Sequence, residues 1–200
     1  MALTTYSELK SSVASWLHRT DLTSVIPDFI TLAENRILRD LIKRGGHYLI
    51  EASSTITPSS NVAALPADYF SIRSLVSATS PNEEILDVPL SVLKSVRGLA
   101  GNGKAYAIVG TDIHLSPDAG AKDVVLNYYL QPTALSDSNT TNELFPTLSD
   151  AYLYASLIEG ELYVKGDPAA WVQAYDSALG MIASHNKARG YGNSLQVRVA

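Results

Sequence analysis

In DLTSVIPDFITLAENRILRDLIKR, residues 21–44, apolar side chains fall at Ile26, Ile30, Ala33, Ile37 and Leu41. Steps of three and four residues put these on one face of an α-helix, with Phe29 and Leu32 flanking it. The helix begins near Ser24, and Pro27 is tolerated in a first turn whose amides have no helical partner. Arg36, Arg39, Lys43 and Arg44 load the C-terminal half with positive charge, which suits the negative end of the helix dipole. Gly45-Gly46 ends it.

Toward the N-terminus, Thr5-Tyr6-Ser7-Glu8 reads as a capping box, in which the threonine hydroxyl and the glutamate satisfy each other's free amides. Tyr6, Leu9, Val13, Trp16 and Leu17 follow at helical spacing, and His18-Arg19-Thr20-Asp21 turns the chain. Far along the chain, Ser149 to Arg189 supplies two more helices, separated by Gly166-Asp167-Pro168. The first is capped by Ser149 and carries Tyr152, Leu153, Leu157 and Leu162. The second is capped by Asp167-Pro168, carries Trp171, Tyr175, Ala178, Leu179 and Ile182, and stops at Gly190.

Between these helical ends the period changes from 3.6 to 2. Tyr48, Ile50 and Ala52 alternate with Leu49 and Glu51 from His47 onward. Ile56, Val62 and Leu65 follow around Pro58 and an Asn/Ser turn, and Tyr69 to Val76 is another strand. Asp87-Val88-Pro89 opens a short helix through about Val96, and Gly98 to Gly103 is a glycine-rich loop. Ala105 to Val109 and Ile113 to Leu115 flank Gly110-Thr111-Asp112 as a hairpin. Val124 to Leu130 is the last strand, ended by Pro132, and Ser136 to Asn142 is a polar loop. The fold class is therefore α+β: a helical bundle of residues 1–45 and 146–190, an inserted β-rich domain of 46–145, and a tail of 191–200.

The chain's 200 residues suffice to bury roughly 70% of the unfolded surface. Charged residues are sparse at 18%, leaving neutral surface suited to subunit contacts. A net charge of −5 is ill suited to gripping a phosphate backbone, and suits a surface past which DNA slides. No cysteine is present, which removes disulfides and thiolate metal sites and fits a reducing compartment. Met1-Ala2-Leu3-Thr4-Thr5 lacks the order of a signal peptide, and no apolar run approaches the ~20 residues of a membrane span.

Chemistry-bearing constellations are missing. His18, His47, His114 and His185 are dispersed and fit no metal spacing, and no G-x-S-x-G elbow places a nucleophile beside a base. The 98–103 loop lacks a G-K-[ST] ending and precedes a strand rather than a helix, so it is no phosphate loop. Glu83, Glu84 and Asp87 read as a solvated acidic loop or a cation site. Tyrosine, at 11 residues, suits either protein interfaces or the helix–sheet junction. Tyr152 and Tyr154 lie two apart, cannot share a helix face, and so divide between core and contact.

Thr5-Tyr6-Ser7-Glu8-Leu9, Trp16 to Leu22, Ile26-Pro27-Asp28-Phe29-Ile30 and Leu32 to Ile37 closely resemble the opening of head-to-tail adaptor (connector) proteins of tailed bacteriophages. Tyr106 to Gly110, Leu126 to Tyr129, Leu135 to Asn139 with Thr141-Asn142, and Asp150 to Ala155 extend the likeness in the same order. Glu143-Leu144-Phe145-Pro146 departs from the more apolar run of the family, and Gly45-Gly46 is a local oddity. The resemblance implies a helical bundle made from both chain ends, with an inserted β-rich lobe. It also implies a dodecameric ring docked under the portal protein, continuing the DNA channel toward the tail, with no catalytic activity and no cofactor.

On that resemblance the partners are the portal, nozzle or tail-tube proteins, further copies of the chain, and double-stranded DNA passing without specific binding. The place is the virion neck, assembled in the host cytoplasm, with no membrane contact. Interface candidates are Arg36, Arg39, Lys43, Arg44, Tyr152, Tyr154, Tyr191, Leu195, Val197 and Arg198. The four cations either pair with acidic groups of an adjacent subunit or form a solvated helix face. The segment from Gly190 to Ala200 is expected to order against the portal. The alternatives are a tail-associated or assembly-chaperone binding module outside the channel, and, more remotely, a small hydrolase.

Overall fold

The computed structural model describes residues 3–79, 83–96, 104–120 and 122–191. The helices are α1 (Tyr6–Trp16), α2 (Ile26–Lys43), α3 (Leu90–Val96), α4 (Pro117–Gly120), α5 (Phe145–Tyr163) and α6 (Ala169–Tyr191). The strands are β1 (Glu51–Ile56), β2 (Val62–Ala64), β3 (Tyr69–Ser77), β4 (Leu86–Asp87), β5 (Ala105–Val109), β6 (Asp112–Leu115) and β7 (Val124–Leu130). Helices stand at both ends of the chain with strands between them, so the class is α+β. Two compact units result: residues 1–50 with 132–200, and residues 51–131.

In the helical unit, α5 is the central element. It packs against α1, α2 and α6, and buries Phe145, Leu148, Ala151, Tyr152, Leu153, Ala155, Ser156, Leu157, Ile158 and Gly160. A helix enclosed on several sides cannot keep a polar face, so its sequence is apolar around most of its circumference. By contrast α2 buries one stripe, made of Ile26, Phe29, Ile30, Ala33, Ile37, Leu38 and Leu41, and leaves Leu32 half exposed. Gly160 lets the chain after α1 come close: a Cβ there would stand 2.6 Å from the Leu17 Cδ1.

Three of these helices end in the same way. The amides of Gly45 and Gly46 donate to the Ile42 and Leu41 carbonyls, the double bond of a Schellman cap, with Gly45 at φ +99. Identical pairs close α1 through His18 and Arg19, and α5 through Lys165 and Gly166. Glycine reaches this left-handed conformation freely; His18 at φ 51 and Lys165 at φ 60 do so against steric resistance. The expected capping box at Thr5 and Glu8 is present.

The β unit holds two sheets, one in the order β1-β7-β3 and one in the order β2-β6-β5-β4. All pairs are antiparallel except β4 with β5. Along β7 the buried residues Val124, Leu126 and Tyr128 alternate with half-buried ones, and they join Ile56, Leu75, Tyr106, Ile113 and Leu115 in one core. Leu93 of α3 covers Ala105 and Ala107 on the opposite side of β5. Ser60 and Asn61, both at positive φ, turn the chain between the mutually bonded Ser59 and Val62. Gly110, at φ +63, opens the β5–β6 turn read from the sequence.

Three local readings need correction. Tyr48 to Ile50 is a 3-10 turn rather than the start of a strand, and Ile50 sits in the core of the helical unit. Ile50 belongs to the helical unit, and strand pairing begins only at Glu51. Asp87 does not cap α3; it lies in β4, opposite Tyr106. Ser149 does not start α5, because Asn142 Oδ1 accepts the amides of Leu144 and Phe145 and begins the helix earlier, with a break in helical geometry at Leu148.

Candidate interaction surface

The basic residues of α2 divide into paired and free. Arg36, Asp40 and Arg44 are four apart and share one stripe of the helix. The Arg36 guanidinium donates to Glu159 of α5, at 3.0 Å from Nε, and that carboxylate is only 15% exposed. Asp40 accepts the buried Tyr175 hydroxyl of α6 at 3.0 Å, and burial together with this carboxylate raises the phenol above its ordinary range. Arg44 reaches Asp176 of α6 at 3.0 Å. Lys43 lies 3.7 Å from Asp40 and is otherwise exposed. Arg39 alone among the four is exposed with no ion pair to a described residue.

This stripe fastens α2 to both C-terminal helices, so Arg36 is committed within the chain. A partly buried carboxylate left without its guanidinium is costly. Arg36 is thus a tie within the chain, and Arg39 is exposed without an ion pair to a described residue.

Tyr152 and Tyr154 separate as their spacing requires. Tyr152 is 1% exposed, packs edge-on against Phe145, and its hydroxyl meets the Asn142 side chain. No partner can reach it, so it leaves the set of contact candidates. Tyr154 is half-buried and lies with Trp16 and Trp171, at ring centroid distances of 6.3 and 6.4 Å, while the two tryptophans are 5.5 Å apart. Trp16 is 45% exposed. Both tryptophans of the chain therefore gather at the meeting of α1, α5 and α6, a composition common at the centres of protein interfaces. The sequence reading assigned both to apolar helix stripes; their positions at a helix end and a helix start were the available signal that burial would be incomplete.

A second apolar spot lies where the Tyr163 ring meets that of Phe29 at 5.3 Å and a tilt of 56°, with Leu32, Leu162 and Tyr163 each at least half exposed. Tyr191 closes α6, and its side chain lies outside the described residues, as do Leu195, Val197, Arg198 and the 98–103 loop.

A polar network sits inside the helical unit. Glu34 accepts the Leu135 amide at 3.0 Å and the Asn142 side chain at 3.3 Å. Asn142 also donates to the Thr133 carbonyl at 3.1 Å and holds the start of α5. Burial pushes the Glu34 carboxyl up to about 7, with the Leu135 amide opposing the shift. The network ties α2, the returning chain and α5 together. Sequence reading placed Asn142 only in a polar loop.

Other titratable groups have structural explanations. His47 is buried and its Nδ1 accepts the Leu49 amide; His18 ends α1; Glu83 pairs with Lys104. Among the described residues no group of His, Asp and Glu is arranged to hold a metal ion, and no helix is long and apolar enough to cross a membrane.

The family model described as SU10 adaptor protein matches residues 4–199, nearly the whole chain. No curated protein matches it.

Proposed function

The chain belongs to the SU10 adaptor protein family, a family of tailed-phage head-to-tail adaptors, and from that membership we propose that it forms a ring beneath the portal. In this reading the ring extends the DNA channel and offers the tail its attachment site. The copy number is that of a dodecamer, and the subunit has no catalytic role. The match across residues 4–199 is the observation that carries the proposal.

Physical features support it. A closed ring needs two different surfaces on each subunit that meet head to tail. The helical unit exposes apolar side chains at the Trp16–Tyr154–Trp171 cluster and at Leu32, Leu162 and Tyr163, and Arg39 is exposed without an ion pair to a described residue. A net charge of −5 per copy, repeated around a channel, repels the DNA backbone, so the genome passes without being held. The portal lies above and nozzle or tail-tube proteins below, and assembly takes place in the host cytoplasm.

Size-exclusion chromatography with light scattering, on the protein alone and with portal added, tests the reading. The expected result is a portal complex heavier than portal by a ring of copies, whatever the free protein's state. Portal that elutes at unchanged mass beside free adaptor contradicts it.

A further inference from the structure

A strand at the edge of a sheet exposes unpaired amides and carbonyls, and proteins blunt such edges with short strands, lysine, proline or bulges. Three edges of the β unit are blunted in this way. β2 has three residues and β4 has two. β3 carries register irregularities between Tyr69 and Ser71 and between Ile72 and Ser74, with Arg73 between them. β1 is the least protected: Glu51–Ile56 contains no lysine or proline, its one charge, Glu51, is paired with Arg73 of β3, and its pairing with β7 runs unbroken over all six residues. Among the described residues no backbone bond other than those to β7 reaches this strand.

The open edge also has a shaped border. A groove of about 470 Å³ borders the C-terminal half of β1, lined by Ser54, Thr55 and Ile56 together with Val62, Ala64 and Pro66 among others. Along β1 the two faces differ: Glu51, Ser53 and Thr55 are exposed, while Ala52 and Ser54 are half-buried and Ile56 is buried.

Leu195-Gln196-Val197-Arg198-Val199-Ala200 has the pattern that such an edge selects. It is six residues long, with apolar side chains at 195, 197 and 199 and polar ones at 196 and 198, the period of a half-buried strand. We propose that this segment of a second copy of the chain adds to the open edge of β1. Leu195, Val197 and Val199 then continue the Ala52, Ser54 and Ile56 face, and Gln196 and Arg198 join the exposed face that carries Glu51. Main-chain bonds supply affinity, and the alternate side chains select the register. The inference rests on the ring reading, because it needs a repeated subunit. It moves the segment's destination from the portal to a neighbouring copy: edge and strand belong to the same sequence, so the contact is heterologous and propagates around a ring.

The chain has no cysteine, so single cysteines report the pairing directly. Chains carrying Ser53→Cys are mixed with chains carrying Gln196→Cys, Arg198→Cys or Val197→Cys, portal is added, and the sample is oxidised. Rings are counted by electron microscopy in the same sample. The expected result is a covalent dimer with Gln196→Cys or Arg198→Cys, and roughly tenfold less with Val197→Cys, whose side chain points to the opposite face. Rings with no Ser53 dimer, or with equal cross-linking at all three positions, overturn the strand addition and leave the adaptor reading standing. Cross-links without rings retain the strand addition and defeat the adaptor reading; the absence of both defeats the two together. Deletion of residues 193–200 that leaves rings intact but frees them from portal assigns the segment to the portal and overturns the pairing.

Discussion

At the scale of single residues, Glu34 and Asn142 decide how the two ends of the helical unit are joined. Burial raises the Glu34 carboxyl from an unfolded value near 4.5 to about 7. The folded protein therefore binds the proton more tightly than the unfolded chain, so this group favours folding at low pH. Its favourable contribution declines as pH rises from about 4.5 and is lost above about 7. Glu34→Gln keeps an oxygen acceptor for the Leu135 amide without the charge. Thermal or denaturant unfolding at pH 8 should find the variant more stable by on the order of 1–2 kcal/mol, after allowance for partial exposure, and at pH 4.5 the gap should close. A gap independent of pH would reject the assignment. Asn142→Ala removes the bonds to Thr133, Glu34, Tyr152 and the first amides of α5. Denaturant titration should register a loss of about 2–3 kcal/mol, whereas a loss within experimental scatter would mean that the loop holds itself. Neither residue was legible in sequence: a carboxylate on a helix and an asparagine in a polar loop carry no mark of the partner that the fold brings to them.

At the scale of elements, local signals were readable wherever they were self-contained. The Thr5–Glu8 box, the Ile26-to-Leu41 stripe, the glycine stop at 45–46 and the β5–β6 turn each lie within a few residues, and each forms as read. Readings failed where a distant element decided. Asp87 is taken by pairing with β5, and Ile50 is buried as part of the helical unit; the start of α5 is the exception, set locally by Asn142 three residues before Phe145. The basic run on α2 is a similar case, since its period was visible but its partners on α5 and α6 were not. Arg36→Ala should lower stability by about 1–3 kcal/mol by leaving Glu159 unpaired. Arg39→Glu should leave the unfolding midpoint unchanged and weaken assembly with portal. Equal effects of both substitutions on stability would contradict this division of roles. Lys165 in the left-handed position at the end of α5 offers a converse test, in which Lys165→Gly should raise stability by about 0.5–1 kcal/mol in the same unfolding assay. A loss would show that the lysine side chain holds something the backbone does not.

For the whole molecule, the two ends of the chain build one helical unit, and the sequence between Glu51 and Gln131 builds its own two-sheeted unit. This general plan was legible because helical and strand periods occupy separate blocks of sequence. The surfaces that remain open were not: the aromatic cluster of Trp16, Tyr154 and Trp171 and the open β1 edge exist only once elements from distant positions meet. Among the described residues these are open surfaces that the fold presents, and the adaptor family implies interaction with other phage proteins. The most direct test is an electron micrograph of the protein mixed with portal. The account predicts a second ring coaxial with the portal that lengthens its channel. Portal rings with nothing added, beside dispersed copies of this protein at saturating concentration, would contradict it.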